Sequence, residues 1–469
     1  MSSFTIARFE RALAASLPSG PEDRPPALCV ALSGGLDSTV LLVALAELAQ
    51  ARAQPWAMRA LHVDHGLHAD AAHWSLASHD LARSVGVPFE QVQVDASAAP
   101  GQSPEAAARD ARYAAFRQRL DPGEVLLTAH HADDQLETVL LQWLRGGGLR
   151  AVAGMPPLAP FGGHAWHARP LLPFERVELE RFARERGLAW VEDPSNADLR
   201  FDRNFLRRQV LPVLRRRWPA AARTVGRVAE YARDALALEA EVARGDLQAL
   251  RRGLALDLAR LRELPDARQR AVLRAWLTAL DLPLPAAETL AALRRDVCVA
   301  ADDRNPRTVW PGAHVHRYRG YLHAAADRLS LPVEGEWHTT QSRRYDWSAQ
   351  SSLELQTANG LGLSRARLPA RVRIACRAGG EQFRPAGAAH RRPLRKWLQE
   401  HAVLPWRRMD LPLLLDAAGE VVAVADLVYA EEYAAQPGEP SWSIVWQGRG
   451  VVTEPDAFGF RWPEDHPIG

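Results

Sequence analysis

The chain has 469 residues, 47% of them hydrophobic and 24% charged, with a formal net charge of +2 at pH 7. This composition excludes a disordered or fibrous chain, the length asks for roughly two to four domains, and the near-neutral charge by itself argues for neither a nucleic-acid nor a membrane partner. The three cysteines, Cys29, Cys298 and Cys376, are far apart and in no CxxC or Cys/His spacing, so structural zinc, iron–sulfur and a disulfide framework are not expected, and a reducing cytoplasm is.

The first residues, MSSFTIARFERAL, mix acids and bases without a long apolar core, so no signal peptide is read there, and no run is long enough to span a bilayer. Phe4, Ile6, Phe9, Leu13 and Leu17 predict a helix over 4–17. Leu28 to Val43, LCVALSGGLDSTVLLV, reads as a buried strand, a glycine turn and an apolar helix. Gly34 and Gly35 let the backbone turn sharply with its N–H groups uncovered, and the Ser33, Ser38 and Thr39 hydroxyls add donors, which suits a phosphate chain. No Lys follows the glycines, so the ordinary NTPase P-loop is excluded, and the dinucleotide GxGxxG pattern is absent. SGGLDS resembles the PP-loop of ATP pyrophosphatases. On that reading Ser33, Gly34, Gly35, Leu36, Asp37 and Ser38 bind ATP, and Asp37 holds Mg²⁺ against the phosphates. A plain βα turn is the alternative.

A second strand, Met58 to Val63, delivers His62 and Asp64 to the edge of the sheet where a nucleoside would lie, although a polar strand end explains them equally well. A helix over 71–85 and a strand from Phe89 to Val94 follow. Ser103 is the expected cap of a helix over 103–120, on which Arg109 and Arg112 share a face that meets phosphate or carboxylate, or simply solvent. The strand Glu124 to Ala129 leads into HHADDQLET. Asp134 and Glu137, or Asp133 and Glu137, lie on one helical face, and with His130 nearby such a cluster asks for a cation, Mg²⁺ or an ammonium. Helix N-terminal acids that satisfy the dipole explain the two Asp residues well and Glu137 less well. A charged helix over 175–187 precedes a polar stretch, Trp190 to Arg207, and an Arg-rich run that includes Arg203, Arg207 and Arg208.

Helices are predicted over 219–250, 266–280 and 286–297, and a strand pair within 308–325. Residues 331–365 read as a link. From Arg371 to Leu411 there are ten basic and three acidic residues, a local excess with Trp397 and Trp406 interleaved. Arg384, Arg391, Arg392, Arg395 and Lys396 are its candidates for nucleic acid, and a solvated face of an Arg-rich protein is the alternative.

SGGLDS (33–38), HVDHGL (62–67), EAAARDARY (105–113), HHADDQLET (130–138), RGGGLRAVAGM (145–155), RPLL (169–172), EDPSNADLRFDRN (192–204) and RAGGEQFRP (377–385) resemble, in order and spacing, the bacterial tRNA(Ile)-lysidine synthase family. The resemblance implies an α/β architecture with an N-terminal parallel-sheet, Rossmann-like PP-loop domain (1–218), a mainly helical middle domain (219–330), a linker (331–365) and a small basic α+β domain (366–469), the last two domains binding tRNA. It implies a ligase that uses ATP to adenylate the carbon-2 oxygen of the wobble cytidine in tRNA(Ile) with a CAU anticodon, after which the ε-amine of free lysine displaces AMP. By resemblance Asp134 and Glu137 hold the lysine amine, Arg109 or Arg112 serves anionic groups, Asp37 assists through Mg²⁺, and Arg203, Arg207 and Arg208 join the basic cluster on tRNA phosphates. Glu137 and His130 both stand as candidates for the base that deprotonates lysine. The expected partners are tRNA(Ile), lysine and ATP, with no membrane and a homodimer as the candidate assembly. The rivals are a PP-loop tRNA thiolase, which would need catalytic cysteines, an amidating synthetase for a small metabolite, and a tRNA-binding protein with an inactive enzyme domain.

Overall fold

The computed structural model of the chain describes residues 3–19, 25–51, 56–64, 66, 71–97, 104–192, 198–298, 306–326 and 332–448. Ser103, residues 65 and 67 of the HVDHGL stretch and residues 193–197 of the EDPSNADLRF stretch lie outside the described residues. The chain divides into two compact units, Met1–Leu238 and Glu239–Gly469.

The first unit opens with helix α1 (Ile6–Ala15), capped by the Thr5 side chain, which accepts from the Arg8 N–H. Strand β1 (Leu28–Ala31) leads to α2 (Leu36–Gln50), then β2 (Met58–Asp64), α3 (Ala71–Ser84), β3 (Phe89–Gln93), α4 (Pro104–Arg119), β4 (Val125–Leu127), α5 (Ala132–Leu144), α6 (Leu149–Ala153), the hairpin β5 (Leu158–Phe161) and β6 (Ala165–Ala168), and α7 (Arg176–Glu185). The sheet order is β3-β2-β1-β4-β6-β5. All neighbours are parallel except β5 and β6. β1 is enclosed by β2 and β4, in register Leu28 with Met58 and with Val125. A parallel strand covered on both faces has to be apolar throughout, which is the pattern of LCVA. Helix α2 is buried along nearly its whole length, and its run of Leu, Val and Ala shows no polar face because it has no solvent side. Phe4 meets Phe174 and Phe182 edge-on at 4.7 Å each, which closes the core beneath α1 and α7. Chain order reverses at β1: α2 leads to β2 on one side, and β4 is added on the other. Such a switch point opens a crevice at the C-terminal ends of the strands.

After α7 come α8 (Asp202–Phe205), one π turn over Leu206–Val210 and α9 (Leu211–Arg217). Pro212 lacks the N–H that an α-helix would direct to the Arg208 carbonyl, and Leu211 N–H instead reaches back five residues to Leu206. The unit boundary falls within α10 (Ala221–Leu250).

The second unit holds β7 (Arg251–Arg252), β8 (Ala255–Asp257), α11 (Leu258–Glu263), α12 (Asp266–Ala279), α13 (Ala287–Ala292), β9 (Arg307–Trp310), β10 (Ala313–Tyr318) and β11 (Tyr321–Ala326). The expected strand pair is thus part of a five-stranded sheet, β7-β8-β11-β10-β9, packed with these helices around Val272, Leu273, Trp276 and Leu322. β12 (Gly335–His338), β13 (Arg344–Ser348), β14 (Ser351–Asn359) and β15 (Leu363–Ser364) follow. Residues 331–365, read as a linker, therefore carry four strands. The alternation of β12, β13 and β14 is short and polar because one face of each is solvated, yet Trp337, Trp347, Leu353, Leu355 and, from β15, Leu363 enter the core. Next come β16 (Arg371–Ala375), β17 (Gln382–Phe383), β18 (Arg392–Pro393), α14 (Leu394–Glu400), β19 (Leu413–Leu415), β20 (Val421–Val424), β21 (Val428–Tyr429) and β22 (Pro440–Gln447). They complete two further sheets, β12-β16-β19-β20-β21 and β13-β14-β22-β15. In α14, Leu394, Trp397 and Leu398 face inward, as their spacing predicts.

Candidate active site

The glycine turn between β1 and α2 is tied internally. Ser38 Oγ donates to the Gly35 carbonyl at 3.0 Å and accepts from Ser33 N–H at 3.2 Å. Its single proton is thereby spent, so Ser33 Oγ donates to Ser38 Oγ, 3.1 Å away. Two of the three hydroxyls expected to meet phosphate, Ser33 and Ser38, instead brace each other, and the donors left are the Thr39 hydroxyl, buried with no partner among the described residues, and the amides of the first turn of α2, which have no intrahelical acceptor. Gly34 sits at φ +79°, and a Cβ there would lie 2.9 Å from Ser78 Oγ. Leu36 is buried in the core, so only its backbone can reach a ligand. Asp37 lies in the first turn of α2, and its Oδ1 is buried with no hydrogen-bond partner among the described residues. His62 is buried, its Nδ1–H donating to the Leu32 carbonyl at 2.8 Å, which anchors the chain just before the turn. Asp64 accepts from Gly66 N–H at 2.8 Å and shapes its own loop.

The end of β4 supplies the acidic half. Asp134 Oδ2 accepts from His131 N–H at 3.0 Å, so it caps α5, as the dipole explanation requires. It does more than that. Arg203 Nη2 and Arg207 Nη2 donate to Asp134 Oδ1 at 3.0 and 3.2 Å, while their Nε atoms reach Glu137 Oε2 and Oε1 at 2.8 and 2.7 Å. Glu137 is 1% exposed. Burial alone would push the Asp134 carboxyl up, but His131 and Arg203 hold it well below the usual range. Arg203 and Arg207, expected on tRNA phosphates, are thus committed to the two carboxylates, while Arg208 points away and is exposed. Arg203 and Arg207 are four residues apart, so both guanidinium groups lie on one face of their helix, the side toward α5.

His131, which sequence reasoning left without a role, sits among three acids. Its Nε2 is 3.6 Å from Asp37 Oδ2 and 3.4 Å from Asp134 Oδ2, and its Nδ1 is 3.4 Å from Asp133 Oδ2. Burial would lower the imidazole, but Asp134, Asp133 and Asp37 override it and hold it up at about 10, so it is an imidazolium at neutral pH. Asp133 also accepts from Arg176 N–H at 2.6 Å and pairs with Arg215. It therefore belongs to the scaffold rather than to a ligand site.

The opposite wall is basic. Arg109 and Arg112 place their guanidinium carbons 5.1 and 5.9 Å from the ring of Tyr113, which lies 5.8 Å from the His167 ring. Arg169 donates from Nη2 to His167 Nδ1 at 3.0 Å, and Thr128 Oγ1 lies 2.8 Å from both His167 Nε2 and His130 Nδ1. Burial and then Arg169 push His167 down to about 2, and burial, against the pull of Asp134, pushes His130 down to about 3. Thr128, His167 and Arg169 were not singled out as site residues. The RPLL stretch marked only the position of Arg169, and nothing in the spacing joins it to His130.

An Mg²⁺ ion takes one or two protein carboxylates and completes its shell with phosphate oxygens and water. The orphaned Oδ1 of Asp37 fits that demand. Among the described residues no three His, Cys, Asp or Glu side chains form a protein-only metal cage.

In the second unit the basic cluster is narrower than the sequence count. Arg384 pairs with Glu432, Arg391 with Glu420, Arg392 with Glu400 and Arg377 with Glu381. Two of these acids lie outside the counted window. Arg395 and Lys396 are exposed on α14, with no acidic partner among the described residues.

Three families match the sequence: a PP-loop domain over 6–214, a TilS substrate binding domain over 256–323 and a TilS substrate C-terminal domain over 372–446. The chain is 42% identical over 435 residues to the tRNA(Ile)-lysidine synthase of Pseudomonas aeruginosa, covering 89% of this chain and 92% of that one. It is 40% identical over 418 residues to the tRNA(Ile)-lysidine synthase of Alkalilimnicola ehrlichii, covering 87% and 92%. The protein of the same name from Coxiella burnetii is 36% identical over 418 residues, covering 89% and 92%.

Proposed function

The chain belongs to the tRNA(Ile)-lysidine synthase family, and from that premise we propose how its residues share the reaction. It is a ligase that forms a C–N bond. ATP adenylates the carbon-2 oxygen of the wobble cytidine in tRNA(Ile) with a CAU anticodon and releases pyrophosphate. The lysine ε-amine then attacks carbon 2, AMP leaves with that oxygen, and the ammonium sheds its protons to solvent or a base.

The amides at the start of α2 and the turn Ser33–Ser38 hold the phosphates, with Asp37 as the protein ligand of Mg²⁺. The metal, when bound, draws charge from the phosphate oxygens. Arg109 and Arg112, on the basic wall, receive anionic oxygens. Free lysine carries an ammonium near neutral pH, its pKa being about 10.4. Asp134 and Glu137 bind that cation by exchanging it for an arginine, because both carboxylates are already held by Arg203 and Arg207. Arg208, Arg395 and Lys396 position tRNA phosphates, and Arg384, Arg391 and Arg392 contribute less, since each already has an acid. His62 and Asp64 shape the nucleoside end. A cytoplasmic location suits the free thiols of Cys29 and Cys376.

The observation that carries this reading is the meeting, at the sheet's switch point, of a phosphate-binding turn bearing an orphaned Asp37 oxygen with the buried pair Asp134 and Glu137. The thiolase alternative lacks such support: Cys29 is buried in β1, and burial pushes its thiol up to about 12, far from a nucleophile. The test is ATP-dependent incorporation of labelled lysine into an unmodified tRNA(Ile) transcript with a CAU anticodon. Incorporation by the wild type, and its loss in Asp37→Ala and Glu137→Ala, is expected. AMP formation without lysine transfer would make lysine the wrong nucleophile.

A further inference from the structure

Arg169, His167, Thr128 and His130 form a file of hydrogen bonds of 3.0, 2.8 and 2.8 Å, and its direction is fixed from one end. A guanidinium can only donate, so His167 Nδ1 must accept from Arg169 Nη2. His167 then carries its proton on Nε2 and donates to Thr128 Oγ1. Thr128 has one proton, and the hydroxyl is buried, with no acceptor among the described residues other than His130 Nδ1. Were His130 protonated on Nδ1, that Thr proton would be buried with nowhere to go, a state the interior penalises. His130 therefore accepts at Nδ1 and carries its proton on Nε2.

We propose that Arg169, His167 and Thr128 are positioning residues that hold His130 as a neutral imidazole with an N–H donor at Nε2, directed to a phosphoryl oxygen of the adenylation step. This rests on the function proposed above. It removes His130 from the two candidates for the base that deprotonates lysine, because the nitrogen that could accept a proton is already occupied by Thr128. Glu137 remains. The surroundings agree. His130 Nε2 has no hydrogen-bond partner among the described residues, and no carboxylate there pairs with Arg169. Arg109 and Arg112 flank Tyr113 on the same wall. Arg109, Arg112 and Arg169 line this wall, and a donor preorganised toward developing phosphoryl charge stabilises the transition state without reorganising. Burial and Arg169 keep His167 neutral, as the relay requires.

Two measurements test this. In imidazole ¹⁵N spectra of the substrate-free protein at neutral pH, His130 and His167 are each expected to show a bare Nδ1 and a protonated Nε2. A proton on His130 Nδ1, or a charged His167, overturns the proposal whatever the enzyme's activity. The second is kinetic. Thr128→Val and His167→Leu are expected to slow tRNA-dependent pyrophosphate release at least about tenfold, with the KM for lysine within about twofold. His167→Gln, whose Oε1 can accept from Arg169 while its Nε2–H donates to Thr128, and Thr128→Ser are expected to restore most of the rate. Equal loss in His167→Gln and His167→Leu overturns the relay. Accumulation of adenylated tRNA in Thr128→Val, with pyrophosphate release unchanged, would place His130 in the lysine step and also overturn it. Failure of the wild type to incorporate lysine would sink the parent reading, and the spectra would still decide the tautomer.

Discussion

Arg207 grips Glu137 with two bonds, Nε to Oε1 at 2.7 Å and Nη2 to Oε2 at 3.0 Å, on a carboxylate that is almost fully buried. A lysine ammonium that uses Glu137 must compete with that guanidinium. Arg207→Leu is therefore expected to lower the KM for lysine about threefold or more, and Glu137→Gln to raise it about tenfold or more, since a hydrogen bond to a charged group contributes roughly 1.5–3 kcal/mol. Steady-state kinetics with lysine varied at saturating ATP and tRNA checks both. A rise in KM for Arg207→Leu would make the arginine part of the lysine site instead of its competitor.

On the proposed reading Asp37 ties the metal to the first step only. Asp37→Ala, or removal of Mg²⁺ by a chelator, is expected to stop pyrophosphate release while leaving the affinity for tRNA within about twofold, because phosphate positioning by distant arginines does not pass through this carboxylate. Filter binding and pyrophosphate assays on the same preparation separate the two.

Gly34 and Gly35 are not equivalent. Gly34 has φ +79°, and a Cβ would come within 2.9 Å of Ser78 Oγ, whereas Gly35 has φ −75° and its nearest contact would be Ser33 Oγ at 3.6 Å. Gly34→Ala is expected to cost about 1–3 kcal/mol and to weaken ATP binding, and Gly35→Ala much less on stability. Denaturant midpoints and ATP titration of the two variants give the comparison.

His167 makes the first unit sensitive to acid. Its folded value is depressed, to about 2, from an ordinary value near 6.5, so the native state binds fewer protons than the unfolded state. The stability it contributes is present above about pH 6.5 and is lost as pH falls toward the folded value. At pH 5 the loss amounts to about 2 kcal/mol. The slope of stability against pH between 7 and 5 is expected to flatten in His167→Gln. An unchanged slope would mean that the ring is already charged in the folded protein.

Arg395 and Lys396 are exposed members of the basic cluster with no acidic partner among the described residues, and Arg391 and Arg392 are each neutralised by an acid. Charge reversal of Arg395 and Lys396 is expected to weaken tRNA binding and to reduce the salt slope by about one to two. The same change at Arg391 and Arg392 has the smaller effect. Affinity measured across a salt series distinguishes the pairs.

The sequence by itself determined the four strands β1 to β4 of the first sheet, though not the hairpin β5–β6, and it determined the glycine turn and the position of the carboxylates. These depend on short-range physics: an uncharged apolar strand, two glycines where the chain must turn, acids three apart on a helix. The sequence also placed Leu394, Trp397 and Leu398 inward on their helix. It could not decide partners. Arg203 and Arg207 look like surface bases until their shared helix face packs on Asp134 and Glu137, some seventy residues earlier in the chain. The excess charge of 371–411 shrinks once Glu420 and Glu432 fold against it. The stretch 331–365 reads as a link because half-solvated strands have a weak pattern, and only pairing with β16 and β22 makes them strands. The relay from Arg169 to His130 joins the ends of two parallel strands that are adjacent in space and forty residues apart in sequence. Its polarity follows from which atom can only donate, and that becomes a constraint only when tertiary structure brings the atoms within hydrogen-bonding distance.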